Sequence, residues 1–321
     1  MSSVKKKMEE KQDIREAILR TLCWFSLFSY PLTAFEIWKW LCRPSRSYRL
    51  EEVCHALSEQ EELRAQIISQ DGYFVLASAP LASWIALRQE RFLDAARKYR
   101  KLRNAARLFS LLPMVRGVAA SNTLAWWHTR PESDIDLFVI VRPGALWTAR
   151  FLMVLPFLLL RRRPHMTGEH ARQSKQDPFC FPFFLTDHAL DVSRIALPKD
   201  IYLAHWVRSL QPVMERGNIF LRFQEANRWV KRWLPHADKG RASHSVVSLK
   251  TSAYLPLPWR FLEVPLRILQ HTHLPKRIKS MANQDTRVVL SHDMLKFFVE
   301  DRRADFYEAW QTLCQSKNIS C

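Results

Sequence analysis

Residues 133–141 constrain the fold of this chain more than any other segment. They read Ser-Asp-Ile-Asp-Leu-Phe-Val-Ile-Val, and such an apolar, β-branched run predicts a strand. Because side chains alternate along a strand, we expect Asp134 and Asp136 on one face, about 6–7 Å apart along the backbone, and Ile135 and Leu137 in the core. Two carboxylates on one rigid element suit a hard divalent cation such as Mg²⁺. The alternative is an edge strand with two solvated acids.

The segment just upstream predicts a strand, a polar turn and a helix. Residues 115–120 (Val-Arg-Gly-Val-Ala-Ala) predict a short buried strand, residues 121–123 (Ser-Asn-Thr) a tight turn, and residues 124–127 the opening of a helix. This order resembles the nucleotidyltransferase superfamily typified by DNA polymerase β. Its signature is an apolar residue, Gly, then Gly or Ser, a short gap, and Asp-apolar-Asp/Glu-apolar. The matching residues are Asn122-Thr123, ten intervening residues, and Asp134-Ile135-Asp136-Leu137.

This resemblance, which spans roughly residues 14–235, implies a reaction and a site. The reaction is a Mg²⁺-dependent transfer of a nucleoside monophosphate from an NTP to an unidentified acceptor, with release of pyrophosphate. In the family the turn holds the nucleotide phosphates, which implies nucleotide-binding roles for Ser121, Asn122 and Thr123. The acids hold two Mg²⁺ or Mn²⁺ ions, which makes Asp134 and Asp136 the implied metal ligands and catalytic residues. Asn122 stands where the family has Gly, and Asn also tolerates a left-handed backbone.

A third carboxylate normally completes the site of this family from a neighbouring strand. Residues 145–160 predict a helix, Phe179–Thr186 an apolar strand, and residues 189–197 a second short strand that pairs with it. Asp191 is flanked by apolar residues in that second run and is the candidate for a third ligand or a base, with Asp187 as a weaker one. If neither carboxylate reaches the metals, the chain is a degenerate, non-catalytic member that acts as a winged-helix regulator or a nucleotide-sensing module.

The N-terminal third predicts three helices followed by a hairpin, which is the outline of a winged helix. The helices are expected over residues 14–30, 34–41 and 50–57, with Thr33 as an N-cap, and Asp71-Gly72 predicts the hairpin turn. A winged helix either reads DNA or serves as a docking module. Docking is favoured because Glu51, Glu52 and Glu59 lie on or beside the third helix, where they would oppose a phosphate backbone.

Charge and composition restrict the remaining choices. The net charge is +18, and residues 222–280 carry twelve Lys or Arg against three acids. This balance suits anionic partners: an NTP, a nucleic acid or another anionic acceptor, or an anionic membrane surface, with Arg161–Arg163 as a candidate phosphate contact. Six scattered cysteines predict reduced thiols and a cytoplasmic protein. Ten apolar residues at 151–160 are too few for a transmembrane segment.

The expected fold class is therefore α+β. We expect a winged-helix-like domain at residues 1–82, a small mixed β-sheet nucleotidyltransferase core with a leading linker helix at residues 83–197, and a helical C-terminal domain at residues 198–321. In that last region the helices are expected near residues 202–213, 219–234, 256–269 and 294–313. The oligomeric state is left open by the sequence.

Overall fold

The computed structural model describes residues 2–160, 177–238, 247–248 and 259–321. Arg161–Arg163 therefore lie outside the described residues. The described chain mixes helices and strands, as expected for an α+β protein. The helices are α1 (Ser2–Ser26), α2 (Ala34–Lys39), α3 (Leu50–Glu59), α4 (Glu61–Arg64), α5 (Leu81–Phe109), α6 (Asn122–Ala125), α7 (Leu146–Leu159), α8 (Ile201–Ser209), α9 (Ile219–Ala226), α10 (Trp259–Thr272), α11 (Lys276–Met281) and α12 (Arg303–Ser316). The strands are β1 (Leu32–Thr33), β2 (Ile67–Gln70), β3 (Tyr73–Leu76), β4 (Val115–Ala120), β5 (Ile135–Val141), β6 (Phe179–Thr186), β7 (Gln211–Glu215), β8 (Val247–Ser248), β9 (Val288–Leu290) and β10 (Met294–Phe297).

The N-terminal elements follow the predicted order of helices and hairpin. The Thr33 side chain accepts a hydrogen bond from the Glu36 backbone, and the Glu36 carboxylate accepts one from Thr33 in return, so the predicted N-cap of α2 is confirmed. Strands β2 and β3 pair across Asp71 and Gly72, both of which have positive φ. Positive φ at both central residues is the conformation of a two-residue hairpin turn, and the predicted turn is confirmed.

A seven-stranded mixed sheet occupies the centre of the molecule, in the order β8-β7-β4-β5-β6-β10-β9. Strand β5 is antiparallel to β4 and parallel to β6. Its residues alternate between two cores: Leu137 and Val139 pack on the side of α5 and α7, and Phe138 and Ile140 pack on the side of α1, α8 and α12. Because β5 is hydrogen-bonded to a strand on each side, it is a central strand, and the edge-strand alternative is wrong.

The C-terminal region differs from the all-helical prediction. Helix α8 ends at Ser209, and Val213 lies in β7 beside β4. The predicted helix over residues 219–234 ends at Ala226 and continues as a 3₁₀ turn, whereas residues 294–313 divide into β10 and α12. In a segment of three to five residues, the spacing of apolar side chains fits a strand and a helix equally well, so the sequence pattern does not distinguish them. The region beyond residue 198 therefore extends the central sheet.

A second correction concerns the neighbour of β6. Residues 189–197 form a loop with a short 3₁₀ turn at Ser193–Ile195, and they do not form the predicted strand. The partner of β6 on this side is β10, which arrives from more than a hundred residues later. Hydrogen bonds from buried Asn227 hold the loop, because its side chain accepts from Val192 N and donates to Leu190 O. The Asn227 side-chain amide thus gives the loop backbone the hydrogen-bond partners that a neighbouring strand would otherwise give.

Candidate active site

The turn between β4 and α6 meets the start of β5 through Asn122. Asn122 has a φ of 52°, in the left-handed region where glycine is the commonest residue. Its side-chain Nδ2 donates a hydrogen bond of 3.0 Å to Oδ2 of Asp136, and the neighbouring Ser121 N donates one of 3.0 Å to the Asp136 carbonyl. The left-handed turn thus aims the amide at the second carboxylate of the Asp-Ile-Asp segment.

Asp136 lies half-buried between the sheet and α8, and its environment disfavours the ionised form. Burial, the largest cause, and the nearby Asp134 carboxylate raise the pKa of Asp136 from 3.8 to about 6, although Asn122, Cys180 and Lys98 act in the opposite direction. The sequence predicts Ile135 and Leu137 in the core and both carboxylates on the outward face, whereas Asp136 is half-buried. The helices that cover this face account for the burial of Asp136.

Cys180 stands across from Asp136 on the neighbouring strand. The two residues are partners in the parallel register of β5 and β6, so their side chains project from the same face of the sheet. The Cys180 thiol interacts with the Asp136 carboxylate and lowers its pKa. The side chain next to Asp136 on the adjacent strand is therefore a thiol and not a carboxylate.

A cluster of ion pairs fixes the loop that carries Asp134. Lys98 of α5 is fully buried, its Nζ lies 2.8 Å from Asp94, and it donates to the backbone carbonyl of Arg130. Asp177, just before β6, accepts from Arg97 and from the next basic residue of that helix face, Lys101. The cluster therefore ties α5 both to the loop before β5 and to the beginning of β6.

The remaining predicted site residues lie in different places. Asp134 directly precedes β5 and is close enough to Asp136 to raise its pKa, whereas Thr123 is exposed at the first turn of α6. The backbone N–H of Asp187 donates a hydrogen bond to the Val141 carbonyl at the opposite end of β5. The five-residue rise along the strand, at about 3.3 Å per residue, places Val141 about 17 Å from Asp136. Asp191 is exposed, and its carboxylate accepts hydrogen bonds from Ser193 N and Oγ at 2.8 and 2.9 Å.

Two cavities flank the Asn122 turn, and both are bordered by Asn122, Tyr202 and Trp206. The first has a volume of about 90 Å³ and is lined mostly by rings; these are Trp24, Phe25, Phe28, Trp126, His128 and His205. The second has a volume of about 290 Å³ and is lined by apolar side chains and by charged side chains of both signs from β10, α12 and the connection between them; the charged ones are Lys296, Glu300, Asp301, Arg302 and Arg303. Asp136 lies near both, because its charge contributes to raising the pKa of Tyr202 to about 12, second to burial.

Several polar atoms around the aromatic cavity have no hydrogen-bond partner among the described residues. These are both ring nitrogens of His205, Nε1 of Trp206 and, in the adjoining turn, Oγ of Ser121. The ring of His205 stacks on Trp24 at 4.7 Å, and burial lowers the pKa of His205 to about 3. A neutral imidazole with two unpaired nitrogens in a cavity wall has hydrogen-bonding capacity left for a ligand.

Sequence reasoning missed the cavity, Cys180 and Lys98. The aromatic residues come from α1, the α6 turn and α8, and only the fold brings them together. The Phe-Cys-Phe sequence at the start of β6 did contain a signal, since alternation along a strand sets Cys180 apart from its two aromatic neighbours. Buried Lys98 has no comparable signal, because basic residues recur on every face of α5.

The candidate site is defined by the Asn122 turn, the two carboxylates of Asp134 and Asp136, and the two cavities beside them. Comparison of the chain with models of protein families, with curated protein sequences and with solved structures gives no match.

Proposed function

We propose that this protein is a Mg²⁺-dependent nucleotidyltransferase that moves a nucleoside monophosphate from an NTP to an acceptor. One observation carries the proposal: the left-handed Asn122 of a strand–turn–helix donates a hydrogen bond to Asp136, which together with Asp134 opens the next strand. This arrangement places a polar turn suited to phosphate beside two carboxylates suited to a cation. The winged-helix-like N-terminal domain would serve for docking, since α3 exposes acids.

The donor set fits one Mg²⁺ ion shared with a substrate. Mg²⁺ binds commonly through one or two carboxylates together with phosphate oxygens and waters, and Asp134 and Asp136 provide such a pair. A cation would also relieve the unfavourable charge that raises the pKa of Asp136. A second ion requires a further oxygen ligand, and among the described residues no three His, Cys, Asp or Glu side chains converge. When bound, the ion would polarise the α-phosphate and neutralise developing charge.

The residues of this chain would hold the two reacting molecules around the Asn122 turn. We assign the nucleotide phosphates to Ser121, Asn122 and Thr123, and one edge of the base to the mouth of the aromatic cavity, which at about 90 Å³ is too small to enclose a whole base. His205 and Trp206 Nε1 would then find hydrogen-bond partners on the nucleoside. The larger cavity, whose wall carries charges of both signs, would take a polar acceptor. Buried Lys98 would hold the Asp134 loop in position for the attack on phosphorus.

The decisive experiment incubates purified protein with each α-labelled NTP, Mg²⁺ or Mn²⁺, and pools of RNA, small molecules and protein. We expect label transfer that is lost in Asp134→Asn and in Asp136→Asn. Glu132→Gln is the matched control, because Glu132 is an exposed acid of the same loop. Transfer that survives both Asp substitutions would overturn the site.

The same assay separates the runner-up function from the proposed one. If the protein binds an NTP and transfers label to no acceptor, while Asp136→Asn changes the affinity for that NTP, a nucleotide-sensing module is the better description. The thiol of Cys180 at the position of a third acid is the observation that favours this outcome. Asp191→Asn should leave transfer intact, because the Asp191 carboxylate already accepts two hydrogen bonds from Ser193 and is exposed.

A further inference from the structure

Helix α10 is oriented with its polar side toward the protein and its apolar side outward. The Glu263 carboxylate accepts hydrogen bonds from Trp147 N and Thr148 N at 2.9 and 3.0 Å, at the N-terminus of α7. Gln270 donates to the Trp147 carbonyl and accepts from Arg150 at 2.7 and 2.6 Å. Two polar side chains seven residues apart therefore hold the inner face of α10.

The opposite face of α10 carries large apolar side chains in contact with solvent. Phe261 is 84% exposed, Val264 53% and Ile268 58%, and no residue of the helix is buried. Their spacing of three and four residues aligns them in one stripe along a helix about 21 Å long. A soluble surface helix normally has the reverse arrangement, so this stripe indicates a surface that something apolar covers.

The charged residues of α10 and α11 are almost all basic. Residues 259–281 contain five Lys or Arg and a single acid, Glu263, whose carboxylate is already bound at α7. Arg260 on α10 and Lys276, Arg277 and Lys279 on α11 are exposed. The surface therefore combines an apolar stripe with uncompensated positive charge.

We propose that α10 and α11 dock this protein onto an anionic membrane surface, a property beyond the nucleotidyl transfer. An in-plane amphipathic helix buries its apolar face at the headgroup boundary and gains further affinity from basic residues near anionic lipids. A second copy of the chain fits this surface less well, because it would bring an equally basic rim against the first. Among the described residues no helix is long and apolar enough to span a bilayer, so the contact would be peripheral.

The test sediments the full chain with vesicles of phosphatidylcholine alone and of phosphatidylcholine mixed with phosphatidylglycerol. We expect binding to the mixed vesicles and little to the neutral ones. Phe261→Ser combined with Ile268→Ser should lower the partition coefficient at least about tenfold, since two large apolar side chains lose their burial in lipid. The matched control combines Leu93→Ser with Leu221→Ser, at side chains that are 69% and 58% exposed on other helices. This control should change the partition coefficient less than about twofold.

A second pair of variants tests the charge. Lys276→Gln combined with Arg277→Gln should lower binding to the mixed vesicles about tenfold or more, at about 1 kcal/mol per charge. Arg103→Gln combined with Arg107→Gln removes two exposed charges from α5 and should have little effect.

Three results would overturn the proposal. The first is an absence of binding to mixed vesicles. The second is a loss of binding that is equal in the α5 control and the α11 variant. The third is a dimer, seen by analytical ultracentrifugation, that dissociates when Phe261 and Ile268 are replaced, because a second copy would then cover the stripe.

Discussion

Replacement of Asp136 by Asn should stabilise the fold above neutral pH while it abolishes transfer. Asn is nearly isosteric with Asp and keeps an oxygen that can accept the hydrogen bond from Asn122 Nδ2. It removes the negative charge that burial and Asp134 disfavour. The proposed reaction therefore assigns the metal to a residue whose charge is costly to the fold.

The magnitude follows from the pKa of Asp136. Its rise from 3.8 to about 6 corresponds to roughly 2–3 kcal/mol at about 1.4 kcal/mol per pH unit. Because the pKa is raised in the folded state, folding takes up a proton between these two values, and stability falls as the pH rises through them. The wild type should therefore bear the full cost above about pH 6 and none below about pH 4, and Asp136→Asn should never bear it.

The assay is urea unfolding of both proteins from pH 4 to pH 8, in EDTA and in Mg²⁺. We expect the free energies of unfolding to converge near pH 4 and to differ by roughly 2–3 kcal/mol at pH 8 in EDTA. Mg²⁺ should stabilise the wild type and narrow the difference, because it binds the native carboxylates. Glu132→Gln, which removes an exposed acid nearby and retains Asp136, is the control and should follow the pH dependence of the wild type.

Two results would refute this reasoning. A difference between wild type and Asp136→Asn that stays constant from pH 4 to pH 8 would mean that the Asp136 charge is not the cause. A variant that is less stable than the wild type at pH 8 in EDTA would mean that the carboxylate is already compensated by its surroundings.

Three further predictions concern the residues around Asp136. Asn122→Ala should destabilise the protein by about 1 kcal/mol more than Asn122→Gly in thermal or urea unfolding, because a φ of 52° is strained for Ala; equal losses would argue against the left-handed turn. Lys98→Met should cost about 3 kcal/mol in urea unfolding, because Asp94 and buried Asp177 lose a charged partner. Lys101→Met, at a side chain 44% exposed, should cost about 1 kcal/mol or less, and similar costs for the two variants would refute the role of burial. Cys180→Asp should tighten Mg²⁺ binding, measured by calorimetry, and lower stability in EDTA, with Cys180→Ser as the control; unchanged affinity would show that this position does not face the ion.

The sequence predicts the local elements around the site well because strong local rules fix them. Asn122 accepts a left-handed backbone, and alternation along the strand buries Ile135 and Leu137 while it turns Asp136 the other way. Which helices cover the face of β5 that carries Asp136 could not be predicted. Whether Asp136 meets solvent or α8 depends on the packing of a helix that lies more than sixty residues later.

The C-terminal prediction failed for a related reason. Strand β10 has four residues, and its apolar side chains fit a helix as well as a strand until β6 is available as a partner. The third acid was sought in the sequence after β6, whereas the strand register shows that the position facing Asp136 is Cys180. Register is a property of two strands together, and one sequence segment read alone does not contain it.

The packing of α1 has a consequence for the order in which this chain matures. Trp310 of α12 donates a hydrogen bond to the Arg20 carbonyl, and Arg20 in turn donates to the Ser320 carbonyl, so this part of α1 is completed by residues that follow it by 290 and 300 positions. During synthesis, the apolar residues of α1 must wait through some 280 further residues before that partner arrives. A nascent chain that already contains α1 and still lacks α12 therefore leaves this side of α1 without one of its native partners.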